Sequence, residues 1–137
     1  MIAKTVKYKD FNGTEREEKF FFNLTKAEVT EMELSTSGGL AESIKRIVAA
    51  QDTPSIIKVF KDLILKSYGE KTLDGKRFRK VDDNGVRLAI AFSETEAYSK
   101  LFMELATDDK AAAEFVNGIM PGDLKEKNDN QEKNDIQ

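Results

Sequence analysis

FSETEAYSKLFMELATDDKAAAEFVNGIMP, residues Phe92 to Pro121, reads as two punctuated amphipathic helices. Ser93 and Glu96 have the spacing of an S-x-x-E capping box, in which the serine oxygen and the glutamate side chain each satisfy an orphaned backbone N–H. The spacing predicts a helix starting near Glu94. Tyr98, Leu101, Phe102 and Leu105 follow at helical intervals and make one apolar stripe. Thr107 or Asp108 can cap a second helix, whose stripe is Ala112, Phe115, Val116 and Ile119, and Pro121 with Gly122 ends the run. Both stripes need burial, either in this chain's own core or against another protein.

Outward from that stretch, the chain has 137 residues, enough for one domain with a substantial core. Its 22 basic and 25 acidic residues give a net charge of −3, which supplies no global attraction to nucleic acid or an anionic bilayer. No apolar run reaches membrane-spanning length, and Met1-Ile2-Ala3-Lys4 lacks the apolar core of a signal peptide, so the reading is a cytoplasmic protein. Cysteine and histidine are both absent. That removes disulfides, thiol nucleophiles, Cys/His zinc sites and a Ser-His-Asp triad. The acidic residues scatter along helix faces without a ligand pattern, so neither a catalytic residue, a metal site nor a cofactor is assigned, and the chain does not read as an enzyme.

Toward the N-terminus, Ile2, Thr5, Val6 and Tyr8 lie in a β-prone stretch, Asp10-Phe11-Asn12-Gly13 supplies a turn, and Lys19 to Asn23 is the expected return strand. Strand alternation puts Phe20 and Phe22 on one face and Phe21 on the other, and one face of so small a hairpin must pack on the helices. Thr25 and Glu28 form a second capping box, predicting a helix over Lys26 to Ser35. Ser37-Gly38-Gly39 breaks it and lacks the Lys-Ser/Thr of a phosphate loop. Leu40, Ile44, Ile47 and Val48 then recur as a helical stripe ending near Asp52. Thr53-Pro54 restarts the chain for a helix over Pro54 to Ser67 that buries Ile56, Phe60, Leu63 and Ile64, with Gly69 as its stop.

Gly69 to Gly85 lacks helical periodicity, and Asp74-Gly75 and Asn84-Gly85 mark turns, so this interval is a small hairpin or a loop. Lys71, Lys76, Arg77, Arg79 and Lys80 make it the most basic part of the chain, the one place for an acidic partner or nucleic acid, although Glu70, Asp74, Asp82 and Asp83 intersperse it. From Gly122 to Gln137 the only large apolar residues are Leu124 and Ile136, which predicts a disordered polar tail. The fold class is therefore mainly α, of the α+β type: an N-terminal β-hairpin packed on a four- or five-helix single domain over residues 1–121, with the tail at 122–137.

The segments LILKSYGEKTLDGKRFRK at Leu63 to Lys80, FSETEAYSKLFMELATD at Phe92 to Asp108 and AAEFVNGIMP at Ala112 to Pro121 resemble the tail assembly chaperones of long-tailed bacteriophages, especially phages and prophages of Gram-positive bacteria. The resemblance runs from Asp10 to Pro121 as an overall pattern, without an active-site signature. It implies a non-enzymatic protein that binds the tape-measure protein, keeps it soluble, helps recruit the tail-tube protein, and acts in the host cytoplasm without entering the mature virion. It leaves room for self-association. It also implies a longer product made by ribosomal frameshifting, for which Glu126-Lys127-Asn128 and Glu132-Lys133-Asn134 are suitable sites, because GAA-AAA-AAC contains the slippery heptamer A-AAA-AAC. Phe115, Ile119 and Met120 are the preferred protein-binding residues, since a terminal helix swaps onto a client or neighbour more readily than a central one. The competing readings are a small nucleic-acid-binding regulator using the basic loop 71–80 and a structural tail component.

Overall fold

Alternating exposed and inward residues in the first 22 positions produce two antiparallel strands, β1 (Ile2–Lys9) and β2 (Glu15–Phe22), in the computed structural model, which describes residues 1–35, 46, 49, 50 and 53–122. The return strand thus begins at Glu15, four residues before the expected Lys19, because Lys9 pairs with Glu15 directly beyond the turn. Asp10 closes that turn by accepting the N–H groups of Asn12 and Thr14 at 2.9 Å each. Phe22 lies fully inside and Phe20 partly so, while Phe21 points to the opposite, half-buried face.

Helix α1 (Lys26–Ser35) begins as its capping box requires: Glu28 Oε1 accepts the Thr25 N–H, and Thr25 Oγ1 accepts the Glu28 N–H. The stripe expected at Leu40, Ile44, Ile47 and Val48, the Ser37-Gly38-Gly39 break and residues 123–137 lie outside the described residues. Helix α2 (Thr53–Ser67) buries Leu63 and Ile64, with Ile56 and Phe60 half-buried. Its last residue, Ser67, is completely buried and donates its hydroxyl to Leu63 O and Ile64 O.

No loop follows α2. Strand β3 (Tyr68–Lys71) starts at the next residue and pairs with β4 (Phe78–Arg79), so the interval expected as a hairpin or loop is a hairpin. The sheet is antiparallel throughout, in the order β1-β2-β3-β4. Gly69 is consequently not a helix stop. It lies in β3, where an added Cβ would come within 2.6 Å of both Arg79 O and the Phe78 ring. Gly75 and Gly85 take positive φ values of 74° and 79°, as the two turn signals require.

Helix α3 (Leu88–Ser93) is an element that the periodicity did not reveal, since six residues are under two turns. Its presence moves the capping signal. Ser93 ends α3 and donates to Ile90 O, whereas Thr95 caps α4 (Glu96–Thr107) by accepting the Tyr98 N–H. Asp108 then accepts from Lys110 N and Ala111 N to cap α5 (Asp109–Ile119). The α4 stripe buries Ala97, Leu101 and Leu105; the α5 stripe buries Ala112, Phe115 and Ile119. These faces meet Phe22, Leu24, Leu63, Ile64 and Phe92 in one apolar core. The described residues therefore form an α+β fold of a four-stranded antiparallel sheet with five helices.

Candidate protein-binding surfaces

Aromatic side chains from separate elements make the centre of the molecule. Phe92 on α3 stacks on Tyr68 of β3 with centroids 4.2 Å apart and planes 6° from parallel, and meets Phe22 of β2 edge-on at 5.8 Å. Phe115 meets Phe22 at 5.2 Å, again edge-on. Burial raises the Tyr68 and Tyr98 hydroxyls above their ordinary acidity range. This cluster is packed scaffold.

That geometry bears directly on the three residues chosen from sequence as protein-binding. Phe115 is 1% exposed and Ile119 0%, whereas Met120 is half-buried beside the core. Ile119 also accepts the Leu24 N–H through its carbonyl at 2.9 Å. Gly118, the residue before Ile119, lies so close to Ile2 that an added Cβ would be 2.7 Å from its Cδ1. In this conformation Phe115 and Ile119 serve the chain's own core, and a partner reaches them only after α5 leaves α4 and the sheet. The periodicity marked the face correctly as one needing burial; it contains no information about whose surface provides it.

The basic segment is likewise redirected. Lys80 Nζ donates to Lys66 O at 2.6 Å and Asn23 O at 2.8 Å, and its ammonium lies 3.1 Å from Glu28 Oε2. Burial pulls its pKa below the ordinary lysine value, while the Glu28 carboxylate opposes that shift. Lys80 thus ties the C-terminal turn of α2, the end of β2 and the capping box of α1 together. Arg79 donates to the Asp83 carboxylate at 2.8 Å. Two of the five cations read as a recognition patch are therefore engaged within the fold; Lys71, Lys76 and Arg77 are exposed.

Exposed apolar side chains lie elsewhere. Phe11 projects from the β1–β2 turn and Leu73 from the β3–β4 turn, and Ile90 and Met103 stand out on α3 and α4. Met103, 54% exposed, borders a shallow groove of about 350 Å³ between β1 and α4, lined also by Thr5, Lys7, Lys100 and Thr107. A larger open cleft of about 520 Å³ lies along the second half of β2 and β3, where Glu18, Lys19, Glu70 and Lys71 mix both charges. Among the described residues no group of acidic side chains is arranged to hold a metal ion, and no helix is long and apolar enough to cross a membrane.

A family model described as phage tail assembly chaperone matches residues 1–137. Neither the curated proteins nor the solved structures contain a match to the chain.

Proposed function

The chain belongs to the phage tail assembly chaperone family, a non-enzymatic family, and on that premise we propose that it binds the tape-measure protein, keeps it soluble and helps bring the tail-tube protein to it. The family match across the whole chain is the observation that carries this reading. The fold is compatible with it: its core is closed around the aromatic cluster, yet Phe11, Leu73, Ile90 and Met103 remain at the surface, and apolar side chains of that kind are available to a client. Residues 1–121 act as the binding domain.

The protein works in the cytoplasm of the host bacterium, for which the sequence resemblance points to a Gram-positive, and is absent from the mature virion. Co-expression tests the central claim. The tape-measure protein is expected to be soluble and to co-purify with this chain, and insoluble tape-measure protein in both the presence and the absence of the chain overturns it. Mass spectrometry of purified virions separates a chaperone from a structural tail component, since only the latter is retained. Frameshifting at Glu126-Lys127-Asn128 or Glu132-Lys133-Asn134 requires an uninterrupted slippery run there and an open −1 frame beyond it. A GAG or AAG codon in both runs excludes these sites.

A further inference from the structure

The outer edge of β1 is a row of outward-facing backbone groups with lysines beside them. Asp10 N–H donates to Thr14 O, and the β1–β2 register pairs residues whose numbers sum to the same value, from Lys9 with Glu15 to Ile2 with Phe22. Hydrogen-bonded and non-bonded pairs alternate in an antiparallel ladder. The even-numbered residues of β1 therefore bond to β2, and Ala3, Thr5, Lys7 and Lys9 direct their N–H and C=O groups away from the sheet. Lys100 confirms this parity: its Nζ reaches over from α4 to Lys7 O at 2.7 Å.

The charged side chains of β1 itself carry one sign. Lys4, Lys7 and Lys9 are the charged residues of β1, and Lys100 stands beside it, while Glu104 in the same groove bridges Lys4 at 3.1 Å. On the outer face Lys7 lies across from Glu17 and Lys9 across from Glu15, so the second strand already supplies acids to the lysines of the first. A strand added on the open side continues that alternation if it is acidic. Two β1 strands from separate copies would instead bring lysines together, which disfavours self-pairing there. The inward-facing side chains of an added strand come over the exposed Met103 and the groove it borders.

We propose that the β1 edge receives, by strand addition, an extended client segment in which acidic and apolar residues alternate, the acids facing Lys7 and Lys9 and the apolar residues facing Met103. This rests on the reading of the protein as a binder of other tail proteins and specifies how one class of segment is held. Main-chain bonds supply the attachment, and the charge pattern supplies the choice of sequence. Lys100 is the gate: its ammonium leaves Lys7 O when a backbone N–H of the incoming strand takes that position.

The test uses the full chain and a synthetic Glu–Val alternating peptide as long as β1, with the Lys–Val peptide as control. Amide hydrogen exchange is expected to slow at Ala3, Thr5, Lys7 and Lys9 with the acidic peptide alone, and salt is expected to weaken the effect. Thr5→Pro removes one outward N–H without touching the β1–β2 ladder and should abolish the protection. Lys7→Gln with Lys9→Gln should weaken binding by about fivefold. Circular dichroism identifies any variant that has lost its fold, and the other variant then decides. No slowing at these amides, equal slowing by the Lys–Val peptide, or slowing that grows with protein concentration without peptide, which marks a second copy as occupant, overturns the proposal. Co-purification of the tape-measure protein with the wild-type chain is a separate readout, so failure of the edge and failure of the chaperone reading are distinguishable.

Discussion

Lys80 donates its ammonium to the backbone carbonyl of Lys66, 2.6 Å away, joining the segment after β4 to the last turn of α2. Carbonyls at a helix C-terminus lack intrahelical partners and carry the negative end of the helix dipole, so a cation there is favourable. Lys80→Met keeps the aliphatic stem but leaves the carbonyls of Lys66 and Asn23 without this donor. The expected loss is about 1–3 kcal/mol in a denaturant titration. A neutral or stabilising result would mean that relief from burying the charge outweighs both bonds.

Gly118 and Ile2 form a packing contact that fixes α5 on β1. Alanine at 118 gains helix propensity, yet its Cβ would lie 2.7 Å from Ile2 Cδ1 and 2.9 Å from Ile2 Cβ. Overpacking wins, and Gly118→Ala should destabilise by about 1–3 kcal/mol. Ile2→Ala removes the Cδ1 and Cγ1 part of the clash. A double-mutant cycle should therefore show a compensating coupling of at least about 0.5 kcal/mol, whereas additivity would place the strain elsewhere.

Phe115 and Met103 separate core from surface. Phe115→Asp puts a carboxylate where the native side chain is 1% exposed and should cost more than about 4 kcal/mol, seen as loss of the cooperative thermal transition. Met103→Asp, at a position 54% exposed, should leave that transition within about 0.5 kcal/mol of wild type and is the variant suited to client-binding assays. A folded Phe115→Asp protein would show that α5 leaves the core readily.

Asp10 controls the β1–β2 turn in a pH-dependent way. Its carboxylate pKa is held below 3.8, first by the hydrogen bond from Arg16 and then by those from the Thr14 and Asn12 backbone. A depressed acid pKa means that the folded state binds fewer protons than the unfolded one, so this stabilising contribution is present above 3.8 and is lost as pH falls through the lowered value. Amide shifts of Asn12 and Thr14 should titrate with a midpoint below 3.8, and Asp10→Asn should abolish that titration. A midpoint at or above the ordinary value would contradict the bonded geometry.

Deletion of residues 123–137 should move the thermal midpoint by less than about 2 °C, because the segment is polar apart from Leu124 and Ile136. A loss of several degrees would assign the tail a packed role.

Which parts of this protein were legible in sequence follows from the range of the forces involved. Thr25 and Glu28 are three residues apart and bond to each other's backbone, so the start of α1 is encoded locally. The buried faces of α4 and α5 are also local, because Leu101 and Leu105, or Phe115 and Ile119, share a face by helix geometry alone. Where two local signals compete, neighbours decide: Ser93 and Thr95 are both capping hydroxyls, and the packing of Phe92 on Tyr68 places Ser93 at the end of α3 and leaves Thr95 to start α4. The interval after α2 reads locally as a hairpin or a loop, but the start of β3 at Tyr68 without an intervening turn and its pairing with Phe21 and Phe22 depend on residues far back in the chain. Lys80 reads as one cation of a basic loop until folding brings it to Asn23, 57 residues away. The sequence determined which faces must leave water and where most helices begin, since those depend on spacing between near neighbours. Only the tertiary structure decided that Phe115 and Ile119 are covered by this chain and that, among the described residues, no strand pairs with the outer edge of β1, because burial depends on which distant surface arrives.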